Sequence, residues 1–422
     1  MPRNRLLAAL SIVLLLAGTA RAGELRLEDL IGEALANNSE VLASRARWSA
    51  SSYRPPQESS LPDPMVMFGY QNEGWERYTY GEMPDAQWMF SLSQTVPYPG
   101  KRSLKGERAW KESQGLEAMH EASRLRTVAE VRERYYDLFL VHKSLDLVEE
   151  KRALFLRVEE AAMGRYSAGR APQQEVLMAQ TEKYMLDERV EMLRQRREAQ
   201  EAMLNAALGR EDIGAPLGRP AEPAPGALDM TLEETILRAY EDSPEVKARR
   251  RMAEAARVGV ESARKEYYPD FTVTGSYFAR GGAFDDMWSL TMAVNIPIFY
   301  KTKQRNAERE SAESAREAEH ELEASRKALA AALRDNYSMA ASASRLMSLY
   351  RDSLIPRARQ NFESAVSGYS AGKADLALVV RSLTALLDNE LQYWGQFAER
   401  EKAIARMDAL RGARQYAGGG TK

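Results

Sequence analysis

The residues that could carry chemistry are few, and their spacing fits little of it. Gly368-Tyr369-Ser370-Ala371-Gly372-Lys373-Ala374 comes nearest to a phosphate-binding loop. It has three residues between its glycines where that loop has four, and Ala374 stands where a hydroxyl would hold magnesium. A helical pattern follows it but no strand pattern precedes it, so nucleotide binding is not expected. The three histidines, His120, His142 and His320, fall in long helical stretches without further ligands at metal spacing. They read as surface or inter-helix packing. Ser and His are both present, yet nothing sets up a nucleophile elbow or a triad. Asp285-Asp286 reads as a pair of loop charges, with calcium binding as the alternative. Arg194-Gln195-Arg196-Arg197 and Arg249-Arg250-Arg251 stand beside Glu on helices and read as solvated or inter-helix faces. The 18 Met are scattered, which favours packing over thioether ligation of copper or silver. No catalytic residue, metal site or cofactor is expected.

The bulk numbers narrow the class. Of 422 residues, 28% are charged and 44% hydrophobic, with no Cys and a formal net charge of −2. Ala, Glu, Arg and Leu dominate the stretches between Gly and Pro, a mix that reads as long helices. Without a basic excess, nucleic acid is not an expected partner. Without Cys, disulfides, thiolate metal sites and a lipid-bearing Cys are excluded. Arg3 and Arg5, the apolar run 6–16 and Ala20-Arg21-Ala22 have the layout of an export signal, predicted at 1–22. The run is too short to span a bilayer, and an uncleaved anchor is the alternative. Loss of Arg3, Arg5 and Arg21 would shift the formal charge to −5.

The chain is written twice. Leu27-Glu28-Asp29 with Ala34 and Ser39-Glu40-Val41 matches Leu232-Glu233-Glu234 with Ala239 and Pro244-Glu245-Val246. Leu61-Pro62-Asp63 matches Tyr268-Pro269-Asp270, and Thr95-Val96-Pro97 matches Asn295-Ile296-Pro297. A Lys follows four residues after each of these last prolines, Lys101 and Lys301. Tyr166-Ser167-Ala168-Gly169-Arg170 matches Tyr369-Ser370-Ala371-Gly372-Lys373, and Gly209 matches Gly412. The offsets stay between 200 and 207 residues. The predicted segments are a first repeat over 23–209, a Pro-rich linker over 210–229, a second repeat over 230–413 and a disordered tail over 414–422.

Each repeat is predicted as an amphipathic helix (28–52 and 233–266), a strand pair, a very long helix, a Gly turn and a return helix. The strand pairs are 65–70 with 87–96, and 271–278 with 287–296. Trp288, Leu290, Met292, Val294 and Ile296 alternate with Ser289, Thr291, Ala293 and Asn295. Trp88, Phe90 and Leu92 alternate with Ser91, Ser93 and Thr95. Transmembrane barrel strands need ~9–11 such residues, apolar outward and polar inward. Trp88, Phe90, Leu92, Trp288, Leu290, Met292 and Val294 are therefore expected to face lipid, with Tyr70 and Tyr277 joining the two tryptophans in an aromatic girdle. A half-buried soluble sheet alternates identically. However, no partner sheet exists elsewhere in the chain, and four strands cannot close themselves in lipid. A barrel shared between identical chains is expected.

The long helices must form the rest. Residues 101–166 would make a rod of roughly 100 Å. Val131, Leu138 and Leu145, with Val141, Val148 and Phe155, recur in seven-residue steps, the spacing of a coiled coil. The second rod, 302–369, contains Pro356 and should kink there. Return helices are predicted at 172–208 and 375–411, with the helix before the strands stacked end to end on each. Gly169 and Gly372 suit left-handed helix ends.

Together these landmarks resemble the TolC family of outer-membrane efflux proteins, over nearly the whole of residues 23–413. The likeness lies in the ordered set: the Leu-Glu-Asp/Glu openings, the Pro-Asp before each strand pair, the Val/Ile-Pro after it, and the two Tyr-Ser-Ala-Gly turns with Glu175-Val176-Leu177. Gln94-Thr95-Val96-Pro97 with Pro99-Gly100-Lys101-Arg102 is similar to the heavy-metal branch of the cobalt-zinc-cadmium type. The resemblance implies a mainly α protein with a small β part. Two tandem repeats would form long antiparallel coiled-coil hairpins plus four transmembrane strands. Three chains would close a twelve-stranded barrel over an α-helical tunnel in the outer membrane of a Gram-negative bacterium. It implies a homotrimer, outer-membrane lipid, a periplasmic adaptor and an inner-membrane pump such as an RND or ABC transporter as partners. Tyr166, Ser167, Ala168, Gly169, Arg170, Tyr369, Ser370, Ala371, Gly372 and Lys373 would be the docking tips. Pro97, Gly100 and Pro297 would mark the strand-to-helix transitions. The family often has an acid six residues after the tip Gly; Glu175 fits, but Leu378 stands there in the second repeat. A soluble periplasmic coiled-coil structural or adaptor protein without a pore is the rival reading, and an enzyme with an unrecognised site is a more distant one.

Overall fold

The computed structural model describes residues 24–226, 228 and 230–413. The expected signal segment 1–22 and tail 414–422 lie outside the described residues. Each repeat follows one plan. In the first, helices α1 (Leu27–Asn37), α2 (Ser39–Ser52) and α3 (Arg54–Ser59) precede strands β1 (Met65–Gln71) and β2 (Gln87–Val96). Helices α4 (Lys101–Ser167) and α5 (Gln173–Leu208) follow. The second runs through α6 (Leu232–Asp242), α7 (Pro244–Lys265), β3 (Asp270–Ala279), β4 (Met287–Asn295), α8 (Gln304–Leu349), α9 (Ile355–Ser370) and α10 (Leu376–Arg411).

The single helices expected at 28–52 and 233–266 are each broken. Asn38 takes an extended conformation, and its side chain accepts the N–H groups of Glu40 and Val41, starting a new helix. At the matching place Ser243 is non-helical and Pro244 opens α7. The short helix α3 was not expected; Pro55 and Pro56 lie in its first turn, where a missing N–H costs nothing.

Gly209 and Gly412 end the return helices at φ 77° and 76°. A Cβ at either would lie 2.6 Å from a backbone oxygen, of Asn37 at Gly209 and of Asp242 at Gly412. Asn38 also donates to the carbonyl of Ala207 at 3.0 Å. The return helix and the opening helix thus meet end to end in both repeats, and only glycine permits that approach.

Helix α4 has 67 residues, or ~100 Å at 1.5 Å per residue. Val131, Leu138, Leu145, Val141, Val148 and Phe155 are all buried. Around them α1, α4, α5 and α10 share one apolar cluster, and α4, α5, α9 and α10 share another near the turns. The second rod is interrupted at Tyr350–Leu354 by a π-helical turn immediately before Pro356. Proline has no N–H to bind the carbonyl four residues back, and the wider turn takes up the misfit, so the helix continues as α9 rather than ending. Ion pairs tie α4 to α10: Arg132 to Asp408 at 2.7 Å, Lys402 to Asp137 at 2.9 Å and Lys151 to Glu390 at 2.8 Å.

The strands form one antiparallel sheet in the order β1-β2-β3-β4. Its central seam, β2 with β3, joins the repeats. Among the described residues no helix is long and apolar enough to cross a membrane.

Candidate functional site: the sheet, its junction and the hairpin tips

Register sorts the sheet into two faces. Phe68, Phe90, Tyr277 and Trp288 stand side by side across all four strands. Val66, Leu92, Gly275 and Leu290 make the next row, followed by Gln94, Val273 and Met292, then Val96, Phe271 and Val294. Trp88 pairs with Tyr70, and Phe68 stacks on Trp88 at 5.0 Å. All seven residues expected to face lipid therefore share one face. That face is bare: Trp288 is 80% exposed, Leu290 69% and Met292 68%. The opposite face carries Ser91, Ser276 and Ser289 in one row and Ser93, Thr274 and Thr291 in another. Ser91 and Ser276 share a hydrogen bond at 2.8 Å, as do Thr95 and Thr272 at 3.0 Å. Water readily satisfies such hydroxyls; an apolar row this large facing water is unusual for a monomer.

The loops beyond the sheet are built rather than loose. Asn72 accepts from Thr79 and donates to the carbonyls of Gly74 and Arg77. Gly81 of one loop lies against Gly282 of the other, where a Cβ on Gly282 would fall 2.2 Å from the Gly81 oxygen.

At the other end of the sheet the strands turn into the long helices. Gly100, at φ 95°, lets α4 begin at once after Pro97. Lys101, only 4% exposed, is 2.9 Å from Asp270 and 3.2 Å from Glu266. Asp270 also accepts the Tyr98 N–H at 2.8 Å. After Pro297 the corresponding position is Tyr300, and turns run on to Lys303 before α8 starts. Both lysine and aspartate were visible in the sequence as landmarks of the duplication, but not as a pair.

At the far end of the hairpins, Gly169 and Gly372 adopt φ 67° and 71°. Nothing lies within 4 Å of a Cβ built on either, so both turns are open. The two tips are joined through Tyr369, which is buried. The Arg165 guanidinium lies 4.3 Å from its ring centre and donates to its carbonyl. The Tyr369 hydroxyl donates to Glu175 at 2.8 Å. Burial, and then the hydrogen bond to that carboxylate, push the phenol up to about 12. Tyr166, its counterpart, is exposed. Ser167, Ala168, Arg170, Ser370 and Ala371 are exposed around the turns, and Lys373 likewise. Sequence reading found Glu175 by its spacing from the tip but missed Arg165, whose partner lies 204 residues away.

The histidines do not converge. His120 shares a hydrogen bond with Ser44 at 2.8 Å and stacks on Trp48. Burial and then the Arg124 charge hold it below its ordinary pKa. His142 is also lowered, by burial and then Arg219. His320 is exposed on α8. Among the described residues no three His, Asp or Glu side chains are grouped to hold a metal ion.

The comparisons with known proteins agree with this geometry. The chain is 25% identical over 321 residues to the cobalt-zinc-cadmium resistance protein CzcC of Cupriavidus metallidurans, covering 74% of each chain. Its fold matches the outer membrane protein VceC of Vibrio cholerae with a TM-score of 0.79 at 18% identity, over 92% of this chain and 96% of that one. It matches a membrane protein of Pseudomonas aeruginosa with a TM-score of 0.80 at 16% identity, over 93% and 92%. The family model described as outer membrane efflux protein matches residues 30–210 and 235–413. A soluble coiled-coil protein without a pore is not favoured by these matches. The chain belongs to the outer membrane efflux protein family: it is an efflux channel protein of the outer membrane, with a large helical periplasmic part.

Proposed function

We propose that three copies of this chain close into one passive duct, with twelve strands in the outer membrane and the hairpins forming a periplasmic tunnel. The observation that carries this reading is the pair of unsatisfied sheet edges. Among the described residues, strands β1 and β4 each have one side without a partner, and Met65, Val66, Met67 and Phe68 on β1 are exposed. Open edges cannot persist in hydrocarbon, so another chain must pair with them. Two copies would give eight strands, whose interior side chains fill; three give twelve and leave a passage. The helices point the same way. Helix α4 packs against α7 and α10 of the other repeat, whereas α8 packs mainly on α6, α7 and α10 of its own repeat. In the ring its uncovered side receives helices of the neighbouring copy. In this arrangement Trp88, Phe90, Leu92, Trp288, Leu290, Met292 and Val294 face lipid, and the hydroxyl rows face the lumen.

The tips then close or open the periplasmic end. The Arg165–Tyr369–Glu175 contacts hold the two hairpins of one chain together and favour the closed packing. Residues 166–170 and 369–373 are the docking turns for a periplasmic adaptor that links the duct to an inner-membrane pump. The adaptor opens the duct to the extent that it binds the open packing more tightly. The likeness to CzcC supports divalent metal ions as cargo. Outer-membrane fractionation with single-channel conductance tests the duct: water-solubility without detergent, or a purified trimer that conducts neither as the native chain nor with Tyr369→Phe at its tips, would overturn it. Deletion of the gene should sensitise cells to cobalt, zinc or cadmium, and sensitivity to other toxic compounds alone would reassign the cargo.

A further inference from the structure

The seam inside one chain shows how the seam between chains is built. At the helical end of the β2–β3 seam, Lys101 is held by Asp270 and Glu266, and Tyr98 stacks on Tyr268 at 4.5 Å. This is where the first repeat meets the second. The duplication gives both ionic residues a counterpart. Pro62-Asp63 corresponds to Pro269-Asp270 and stands one residue, Pro64, ahead of β1, whereas Asp270 opens β3.

The lysine's counterpart depends on how residues are counted. Counted from the prolines it is Lys301. Counted back from the tips it is not. Tyr369 corresponds to Tyr166, an offset of 203, and the π-helical turn Tyr350–Leu354 inserts one residue into the second rod. Above that turn the offset is therefore 202, which puts Lys303 where Lys101 stands. Lys303 is the residue just before α8, and Lys101 the first residue of α4. It also lines a cavity of about 400 Å³ at the junction together with Lys101, Asp270, Asn295 and Gln304. Asp63 and Lys303 are both exposed, and neither side chain has an ion-pair or hydrogen-bond partner among the described residues.

We propose that Lys303 of one copy pairs with Asp63 of the next, reproducing between chains the Lys101–Asp270 contact found within one. The proposal rests on the ring of three copies described above. Pairing the free edge of β4 with the free edge of β1 in a second copy sets Asp63, at the entry to β1, beside the head of α8, as β2–β3 pairing sets Asp270 beside Lys101. One unpartnered cation then meets one unpartnered anion at each of the three seams. Both ends lie where strand gives way to helix, so the pair would fix the register of the neighbouring sheets as they join.

The absence of Cys makes the test direct. The double variant Asp63→Cys/Lys303→Cys, treated in outer membranes with a short bis-maleimide, should give covalent dimers and trimers on a denaturing gel. Neither single variant should give trimers. Lys101→Cys/Asp270→Cys should crosslink within one chain and leave the mass monomeric. Crosslinking of Asp63→Cys with Lys301→Cys in preference to Lys303→Cys would overturn the assignment. Absence of both crosslinks in a protein that runs as a trimer before denaturation would overturn the pairing and leave the ring standing. A monomer before denaturation would overturn the ring itself. As a second measurement, Asp63→Lys should lower the temperature at which the trimer dissociates in detergent, and adding Lys303→Asp should restore it. Failure of the exchanged pair to restore it would count against the contact.

Discussion

Arg165 and Tyr369, 204 residues apart in the chain, meet where the two helical hairpins end: the guanidinium covers the phenol ring at 4.3 Å and donates to the same residue's carbonyl. The ring's hydroxyl in turn reaches Glu175 of the first hairpin at 2.8 Å. One buried tyrosine thus joins both tips. Its hydrogen bond to a carboxylate is the part that can be removed without disturbing the packing. Tyr369→Phe should lose ~1–2 kcal/mol of closed-state preference, a shift of roughly five- to thirty-fold in the closed-to-open ratio. Single-channel recordings should show more frequent or longer openings. Unchanged gating would remove the tip contact from the closing mechanism.

The same phenol should give the proposed closed tip an alkaline limit. Its pKa is raised in the folded protein from 10 to about 12, by burial and then by Glu175. A group whose pKa is raised by folding contributes stability that is fully present below its unfolded value and is lost as pH rises through the folded one. Closure should therefore be steady through neutral pH up to about 10, then weaken toward 12. Conductance recorded across that range should show the change in the native chain, and Tyr369→Phe should flatten it. A native chain that opens between pH 7 and 9 would implicate another group.

A substitution at Gly372 can separate the proposed docking from folding. Its φ of 71° makes any side chain there somewhat strained, yet nothing lies within 4 Å of a Cβ, so a large group would project outward. The left-handed conformation costs an ordinary residue ~1–3 kcal/mol, local to the turn. Gly372→Trp should leave the assembled protein in the outer membrane and abolish export. Export at the native rate would show that this turn is not where an adaptor sits.

How much of this was readable beforehand follows from the range over which each feature acts. The strands were legible to within a residue, because two-residue alternation in Met287–Asn295 and Gln87–Val96 is local. The glycine turns were legible for the same reason. The break at Ser243 had a signal in Pro244; that at Asn38 depended on one capping side chain inside an otherwise helical pattern. Pro356 announced a disturbance but not its form, since whether a helix kinks or widens depends on what packs around it. The Arg165–Tyr369–Glu175 contact and the Lys101–Asp270 pair were hidden for a different reason. Each partner is an ordinary residue on its own element, and only the packing of one repeat on the other brings them together.

The two faces of the sheet should respond oppositely to charge, and this separates a membrane strand from a soluble one. Leu290 lies mid-strand in β4, in the row of Val66 and Leu92; its neighbour Ser289 lies in the row of Ser91 and Ser276 on the other face. On the face toward lipid, a lysine near the bilayer centre costs ~2–4 kcal/mol. On the face toward a water-filled lumen it keeps its hydration and costs little. Leu290→Lys should therefore lower the yield of assembled protein in the outer membrane and its resistance to denaturant, whereas Ser289→Lys should assemble normally and change conductance or ion selectivity. A soluble sheet would tolerate Leu290→Lys, since the residue is already 69% exposed in the single chain and water would simply replace the leucine's surroundings. The measurement is paired folding and conductance on the two variants; equal tolerance at both positions would place the apolar face in water and dismantle the barrel.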